Sequence, residues 1–278
     1  MISPPLERLR SRQAVLGAPL CLGIDPHLDA LPDRLTRDAD GIERFARGVL
    51  EAAAEFAVAV KVNVAFFEAF GSVGWAALER LRGDVPSDHV LILDAKRGDI
   101  GSTAERQATA LFDRLGADGV TLSPYLGEDA IQPFADHPDR LIYVLARTSN
   151  PDAGRLQDMV VRADGAERPL HEEVARWVAS RWPEGRVGLV VGATAAGELE
   201  RLRATVPEPA FLVPGVGAQG GDLAVAVRAC QGSRAPGLVN ISRAIAGASS
   251  GSDWRHAAGE AARRWQGEMA EVGATLPA

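Results

Sequence analysis

Residues 91–105 read Leu91-Ile92-Leu93-Asp94-Ala95-Lys96-Arg97-Gly98-Asp99-Ile100-Gly101-Ser102-Thr103-Ala104-Glu105. An unbroken apolar run ends in charges, a glycine permits a turn, and Ser102 with Glu105 has the spacing of a capping box opening a helix. An apolar run without polar alternation predicts a strand buried on both faces. The same unit recurs along the chain, with apolar runs at 20–24, 57–62, 89–93, 119–122, 141–146, 187–191, 210–213 and 237–241. Stretches between them, such as 41–56, 102–115, 170–182 and 195–206, carry helical periodicity. Eight strand–helix units without a linker predict an α/β protein: a (β/α)8 TIM barrel, one domain over residues 1–278. A doubly wound open sheet is the runner-up. A polar helical stretch at 6–15 precedes the first strand and is expected to plug the bottom of the barrel as an N-terminal helix.

The 278 residues suffice for a substantial core, and 46% hydrophobic with 24% charged residues is ordinary for a soluble enzyme. No apolar run approaches the ~18 residues of a membrane span, and the N-terminus does not read as a signal peptide. A net charge of −7 argues against general nucleic-acid binding while leaving an anionic small substrate open. Cys21 and Cys230 read as small buried thiols in a reducing cytoplasm. The five histidines lack metal-ligand spacing, so no metal site is expected.

Of 30 basic residues only Lys61 and Lys96 are lysine, and both end apolar runs. An ammonium can give its proton away, whereas guanidinium stays protonated. Asp94 and Lys96, two apart on a strand, are expected to face the same way, toward the mouth of a barrel. Lys96 between Asp94 and Asp99 suits a charged proton donor or an electrostatic anchor rather than a Schiff-base nucleophile. An ion pair closing a strand end is the plainer alternative. Lys61 ends the second run and is expected to pair with Asp94 across the mouth. Asp25 ends the first run, where it also fits a turn. Adjacent strand ends thus present Asp25, Lys61, Asp94 and Lys96 to one place.

Pro214-Gly215-Val216-Gly217-Ala218-Gln219-Gly220-Gly221-Asp222 follows the seventh run, and Asn240-Ile241-Ser242-Arg243 ends the eighth. Backbone amides of a glycine-rich loop approach phosphate oxygens, and a guanidinium beside them adds a bidentate cation. A phosphate site after strands seven and eight is common in barrels. The Gly-x-Gly-x-x-Gly spacing does not indicate a dinucleotide fold, because it lies in the seventh unit and no acid follows about twenty residues on. After the fifth run, Arg147-Thr148-Ser149-Asn150-Pro151 offers small polar groups to a planar heterocycle, or forms a plain turn. The loops 148–169 and 215–222 are longer than a barrel needs.

Residues 91–104 resemble the signature of orotidine 5′-phosphate decarboxylases, and the resemblance extends to Asp25, Lys61, the 149–151 loop, 214–222 and Ser242-Arg243. The longer loops resemble the larger bacterial branch of that family. The Asp-x-Lys-x-x-Asp motif belongs to a wider suprafamily, but its combination with Lys61 and Gly-Val-Gly-Ala-Gln-Gly-Gly is specific. The resemblance implies cofactor-free decarboxylation of orotidine 5′-monophosphate to uridine 5′-monophosphate in de novo pyrimidine synthesis, at sites shared across a homodimer. In that frame Asp94 faces the scissile carboxylate, and Lys96 protonates the C6 carbanion. Lys61 and Asp25 bind the ribose hydroxyls and order the charges. Asp99 and Thr103 reach into the neighbouring subunit's site, Ser149 bonds the pyrimidine, and Gln219 with Arg243 holds the phosphate. Two rival readings fit part of the pattern. One is a Mg²⁺-dependent sugar-phosphate lyase or synthase of the same suprafamily, which needs an acid near Lys61. The other is a catalytically silent phosphate-binding barrel, which leaves the lysine pair and Asp94 without a purpose.

Overall fold

The computed structural model describes residues 3–275. Eight parallel strands close into a barrel: β1 (Leu20–Ile24), β2 (Ala59–Asn63), β3 (Val90–Arg97), β4 (Gly119–Leu122), β5 (Leu141–Arg147), β8 (Val187–Val191), β9 (Phe211–Pro214) and β10 (Leu238–Ile241). The ring closes where β1 pairs with β10, Leu20 opposite Val239 and Leu22 opposite Ile241. Two further strands, β6 (Val160–Ala163) and β7 (Ala166–Pro169), form an antiparallel hairpin outside the barrel.

Strand alternation divides the core in two. Leu20, Leu22, Ile24, Val60, Val62, Leu91 and Leu93 pack outward against the helices. Cys21, Ala59, Val90, Ile92, Tyr143 and Leu212 belong to a second cluster inside the ring. The inward columns of β1, β2 and β3 are apolar low in the barrel and polar at the top, as in Cys21 then Asp25, or Ala59 then Lys61 and Asn63. The period of two therefore sends the polar residues ending these three neighbouring strands to one face.

The outer layer includes helices Ala39–Ala53, Gly71–Asp84, Leu170–Arg181, Ala196–Thr205 and Trp254–Ala274. Asp38 caps the first of these by accepting the Gly41 amide (2.9 Å), and Phe45 stacks on Trp254 with ring centroids 5.3 Å apart. The helix expected at 102–115 runs over Gly101–Ala108 and continues as a π-helical turn, Thr109–Arg114. It starts before Ser102, so Ser102 lies inside the first turn and the expected capping box does not form.

The N-terminal helix, Pro5–Leu16, lies under the barrel as expected. Leu9 is fully buried among the lower inward residues. Arg8 donates to the carbonyl of His89 (2.5 Å) and to the buried carboxylate of Asp118, which accepts the Leu91 amide (2.9 Å). A buried charge is tolerable when paired and hydrogen-bonded in this way. No helix among the described residues is long and apolar enough to cross a membrane.

Cys21 and Cys230 are free and buried. Burial raises both thiols from the ordinary 9.0 to about 12, and for Cys21 the neighbouring Asp94 and Asp25 add to the effect while Lys61 opposes it. A raised acid stays neutral in the folded chain while its unfolded counterpart ionises. The associated stability is complete below pH 9 and is lost as pH rises toward 12. Each thiol is expected to remove about 1.4 kcal/mol per pH unit in that window. Denaturant melts from pH 8 to 11 check this: a Cys21→Ala/Cys230→Ala variant should show a flatter fall, and an unchanged slope would refute the assignment.

Candidate active site

At the C-terminal end of the strands the inward columns surround a cavity of about 490 Å³. Seven of the residues singled out in the sequence line it: Asp25, Lys61, Asp94, Lys96, Ser149, Gln219 and Arg243. Asp99 and Thr103 do not. Asp99 accepts the Ile100 amide (2.8 Å), and Thr103 is exposed on the helix that follows.

The expected pair across adjacent strands is present: Lys61 Nζ donates to Asp94 Oδ2 at 2.7 Å. Lys96 Nζ donates to the other oxygen, Asp94 Oδ1, at 2.5 Å. Lys61 is only 4% exposed. Burial acts against its ammonium, but the carboxylates of Asp94 and Asp25 outweigh it and hold Lys61 above the usual lysine range. For Asp94, burial favours the neutral acid, and the charges of Lys61 and then Lys96 overcome it, leaving the carboxyl well below its usual range. The centre is a carboxylate clamped ionised between two cations.

The backbone that presents Lys96 is irregular. β3 and β4 pair regularly to Leu93 opposite Val120 and resume at Arg97 opposite Leu122, so Asp94, Ala95 and Lys96 bulge against Thr121 alone. Lys96 has φ +45°, in the left-handed region, which costs a non-glycine residue about 1–3 kcal/mol. Such strain persists where neighbouring contacts hold it, and it clusters at working sites. The bulge turns the ammonium back toward Asp94.

The opposite wall is the glycine-rich loop. Gly215 has φ +101°, and a Cβ there would crowd Gln219 Oε1 (3.0 Å) and Ser149 Cβ (3.3 Å), so only glycine lets these segments meet. Asp222 ends the loop by capping helix Leu223–Ala229 through the Val225 amide (2.9 Å). Arg243 stands exposed beside the loop, and among the described residues no carboxylate pairs with it.

The segment 148–169, expected as a long loop, is largely ordered into short elements. Gln157 accepts the Thr148 amide and donates to its hydroxyl, both at 2.9 Å, pinning the start of the segment to the cavity wall. Asp164 (φ +50°) and Gly165 (φ +78°) form the two-residue turn of the β6–β7 hairpin, which an Asp-Gly pair favours.

Sequence reading missed Thr121 and Gln157 and gave Asn63 and Asn240 no role, yet all four line the cavity. Thr121 and Asn240 had a signal: each is a lone polar residue at an inward position of an otherwise apolar strand, where burial is costly without a partner. Asp25 Oδ1, Asn240 Oδ1 and Ser242 Oγ are buried on this wall without a protein hydrogen-bond partner. Ligand hydroxyls or amides would satisfy them. The arrangement can therefore hold a polyhydroxylated anion, its negative end toward Arg243 and its other end against the Lys61–Asp94–Lys96 cluster.

Residues 18–256 match the model of the orotidine 5′-phosphate decarboxylase / HUMPS family. The chain is 51% identical over 247 residues to an orotidine 5′-phosphate decarboxylase of Roseiflexus castenholzii, covering 88% of this chain and 89% of the relative. Among solved structures, an OMP decarboxylase of Leishmania donovani is 35% identical with a TM-score of 0.83, over 99% of this chain and 100% of that one. The UMP synthase of the same organism is 37% identical with a TM-score of 0.84, and 98% of this chain spans 57% of its length.

Proposed function

Because the chain belongs to the orotidine 5′-phosphate decarboxylase / HUMPS family, we propose that it decarboxylates orotidine 5′-monophosphate to uridine 5′-monophosphate. The observation that carries this reading is the largely buried carboxylate held ionised between two ammoniums at the floor of a nucleotide-sized cavity. Breaking the bond between C6 and the carboxylate releases carbon dioxide and leaves the electron pair on C6, where the ring offers no conventional sink. The Lys96 ammonium, fixed beside that carbon, stabilises the developing charge and transfers a proton to it. Its side chain is 49% exposed, so solvent can return the proton. Asp94, unable to become neutral near pH 7, repels the substrate carboxylate until it departs as neutral carbon dioxide.

The remaining candidates fit supporting roles. Asp25 and Lys61 take the ribose hydroxyls, Ser149 the pyrimidine, and Gln219 with Arg243 the phosphate. Phosphate binding far from the reacting carbon supplies the energy that seats the base against Asp94. Arg243→Ala is therefore expected to lower kcat/KM by about 10–100-fold, the worth of one charge-assisted contact. Orotidine without its phosphate should not distinguish the variant from wild type.

We also read the enzyme as a cytoplasmic homodimer whose sites are shared, with Asp99 and Thr103 serving the neighbouring site. Two features support the shared dimer. Asp99 lies off its own cavity, and beside it the 97–100 and 123–126 segments run together through Ser123 N–H donating to Arg97 O (2.7 Å). They present exposed Ile100, Leu126 and Tyr125, the last 79% exposed. Sedimentation equilibrium returning only monomer would refute the dimer, and recovery of the protein from a non-cytoplasmic cell fraction would refute the location.

The reaction itself is tested by mixing EDTA-treated protein with orotidine 5′-monophosphate and following the orotate chromophore. Its loss, with formation of uridine 5′-monophosphate, is the expected result. Folded protein that leaves the chromophore unchanged would overturn the proposal.

A further inference from the structure

Thr121 belongs to none of the roles above, yet it is the one residue of β4 that faces the three-residue bulge of β3. It is 1% exposed and lines the cavity. The Lys96 amide donates to Thr121 Oγ1 at 3.0 Å, and the Thr121 hydroxyl donates to Asp94 Oδ1 at 2.9 Å. The same Asp94 oxygen receives Lys96 Nζ. The hydroxyl thus joins the backbone of Lys96 to the carboxylate that its own side chain engages.

We infer that Thr121 is a positioning residue for the decarboxylation: it holds Lys96 in its left-handed backbone conformation and orients the Asp94 carboxylate, which together aim the ammonium. The inference rests on the functional reading just given. A β-branched side chain has few χ1 choices, so the hydroxyl is held where both contacts form. A hydroxyl is required because it accepts from one neighbour and donates to the other in the same geometry. Valine has nearly the same shape and can do neither. Without the hydroxyl, the Lys96 amide loses its acceptor and the strained conformation loses a restraint.

The chain's two lysines make the test direct, since protein labelled with ¹⁵N-lysine gives two backbone amide signals. In Thr121→Val the Lys96 amide is expected to shift and to exchange faster with solvent while that of Lys61 is little changed. The kcat is expected to fall by about 100-fold, the scale of a misplacement near 1 Å, with KM and affinity for uridine 5′-monophosphate unchanged. Thr121→Ser should restore the amide signal and most of kcat, which a loss of packing alone would not produce. Thr121→Ala serves as a second hydroxyl-free variant if valine does not fold. Wild-type kcat in a folded hydroxyl-free variant overturns the inference. Wild-type protein that does not turn the nucleotide over sinks the functional reading instead, and the amide signal then decides alone whether Thr121 holds Lys96.

Discussion

Lys96→Arg is expected to lower kcat by about 10²- to 10⁴-fold while leaving the protein folded, the range a positioned proton donor contributes. The substitution keeps the positive charge, so Asp94 still has two cations and the electrostatics of the floor survive in outline. What changes is chemistry and fit. Guanidinium remains protonated at any pH at which the protein is folded, and its planar fork is wider than an ammonium approaching Asp94 at 2.5 Å. The Lys96 side chain is about half exposed, so stability should move by no more than about 1 kcal/mol. Steady-state kinetics beside a thermal melt separate the two effects. Unchanged turnover would remove Lys96 from the mechanism.

Asp94→Asn is expected to cost both activity and about 3–5 kcal/mol of stability, because it leaves a buried ammonium without its nearest counter-charge. Lys61 is deeply buried and its direct ion-pair partner is Asp94. The pH dependence should change sign as well. In the wild-type chain, Asp94 is held below the ordinary 3.8, so its contribution is present above that pH and disappears as pH falls below it. Lys61 is held above the ordinary 10.5, so its contribution is complete below that value and is lost as pH rises beyond it. Once Asp94 is neutral, Asp25 is the carboxylate left to oppose burial, the largest single influence on Lys61, and the folded value is expected to drop below the unfolded one. Stability of the variant, relative to wild type, should then improve between pH 7 and 10. Urea titrations at the two ends of that range measure the difference, and a constant gap would refute the account.

The barrel was legible because buried parallel strands leave a plain trace: each of the eight apolar runs overlaps an observed strand, three of them end to end, and the rest with ends displaced by no more than two residues except at the end of β3, displaced by four. Asp25, Lys61, Asp94 and Lys96 were legible together because the period of two sends the ends of neighbouring strands to one mouth. The bulge at 94–96 was not. It depends on how β4 lies alongside β3, and a left-handed lysine carries no local mark of the kind glycine or asparagine gives. Thr121 showed its polarity on an apolar strand but not its role, which comes from a neighbour 25 positions earlier in the chain. The β6–β7 hairpin did have a local mark, Asp164-Gly165, but its flanking strands are short and mostly exposed and lack the apolar run that announces the barrel strands.

The seam between β1 and β10 bears on how the chain must be made. Leu20–Ile24 leaves the ribosome first among the barrel strands, and one of its two partners, Leu238–Ile241, leaves last. Until then an apolar strand carries an unpaired edge, a template on which a second nascent chain can dock. A C-terminal deletion that removes β10 therefore does not yield a smaller barrel. It exposes β1 and β9 together, and such fragments should collect as aggregates instead of accumulating as a trimmed enzyme.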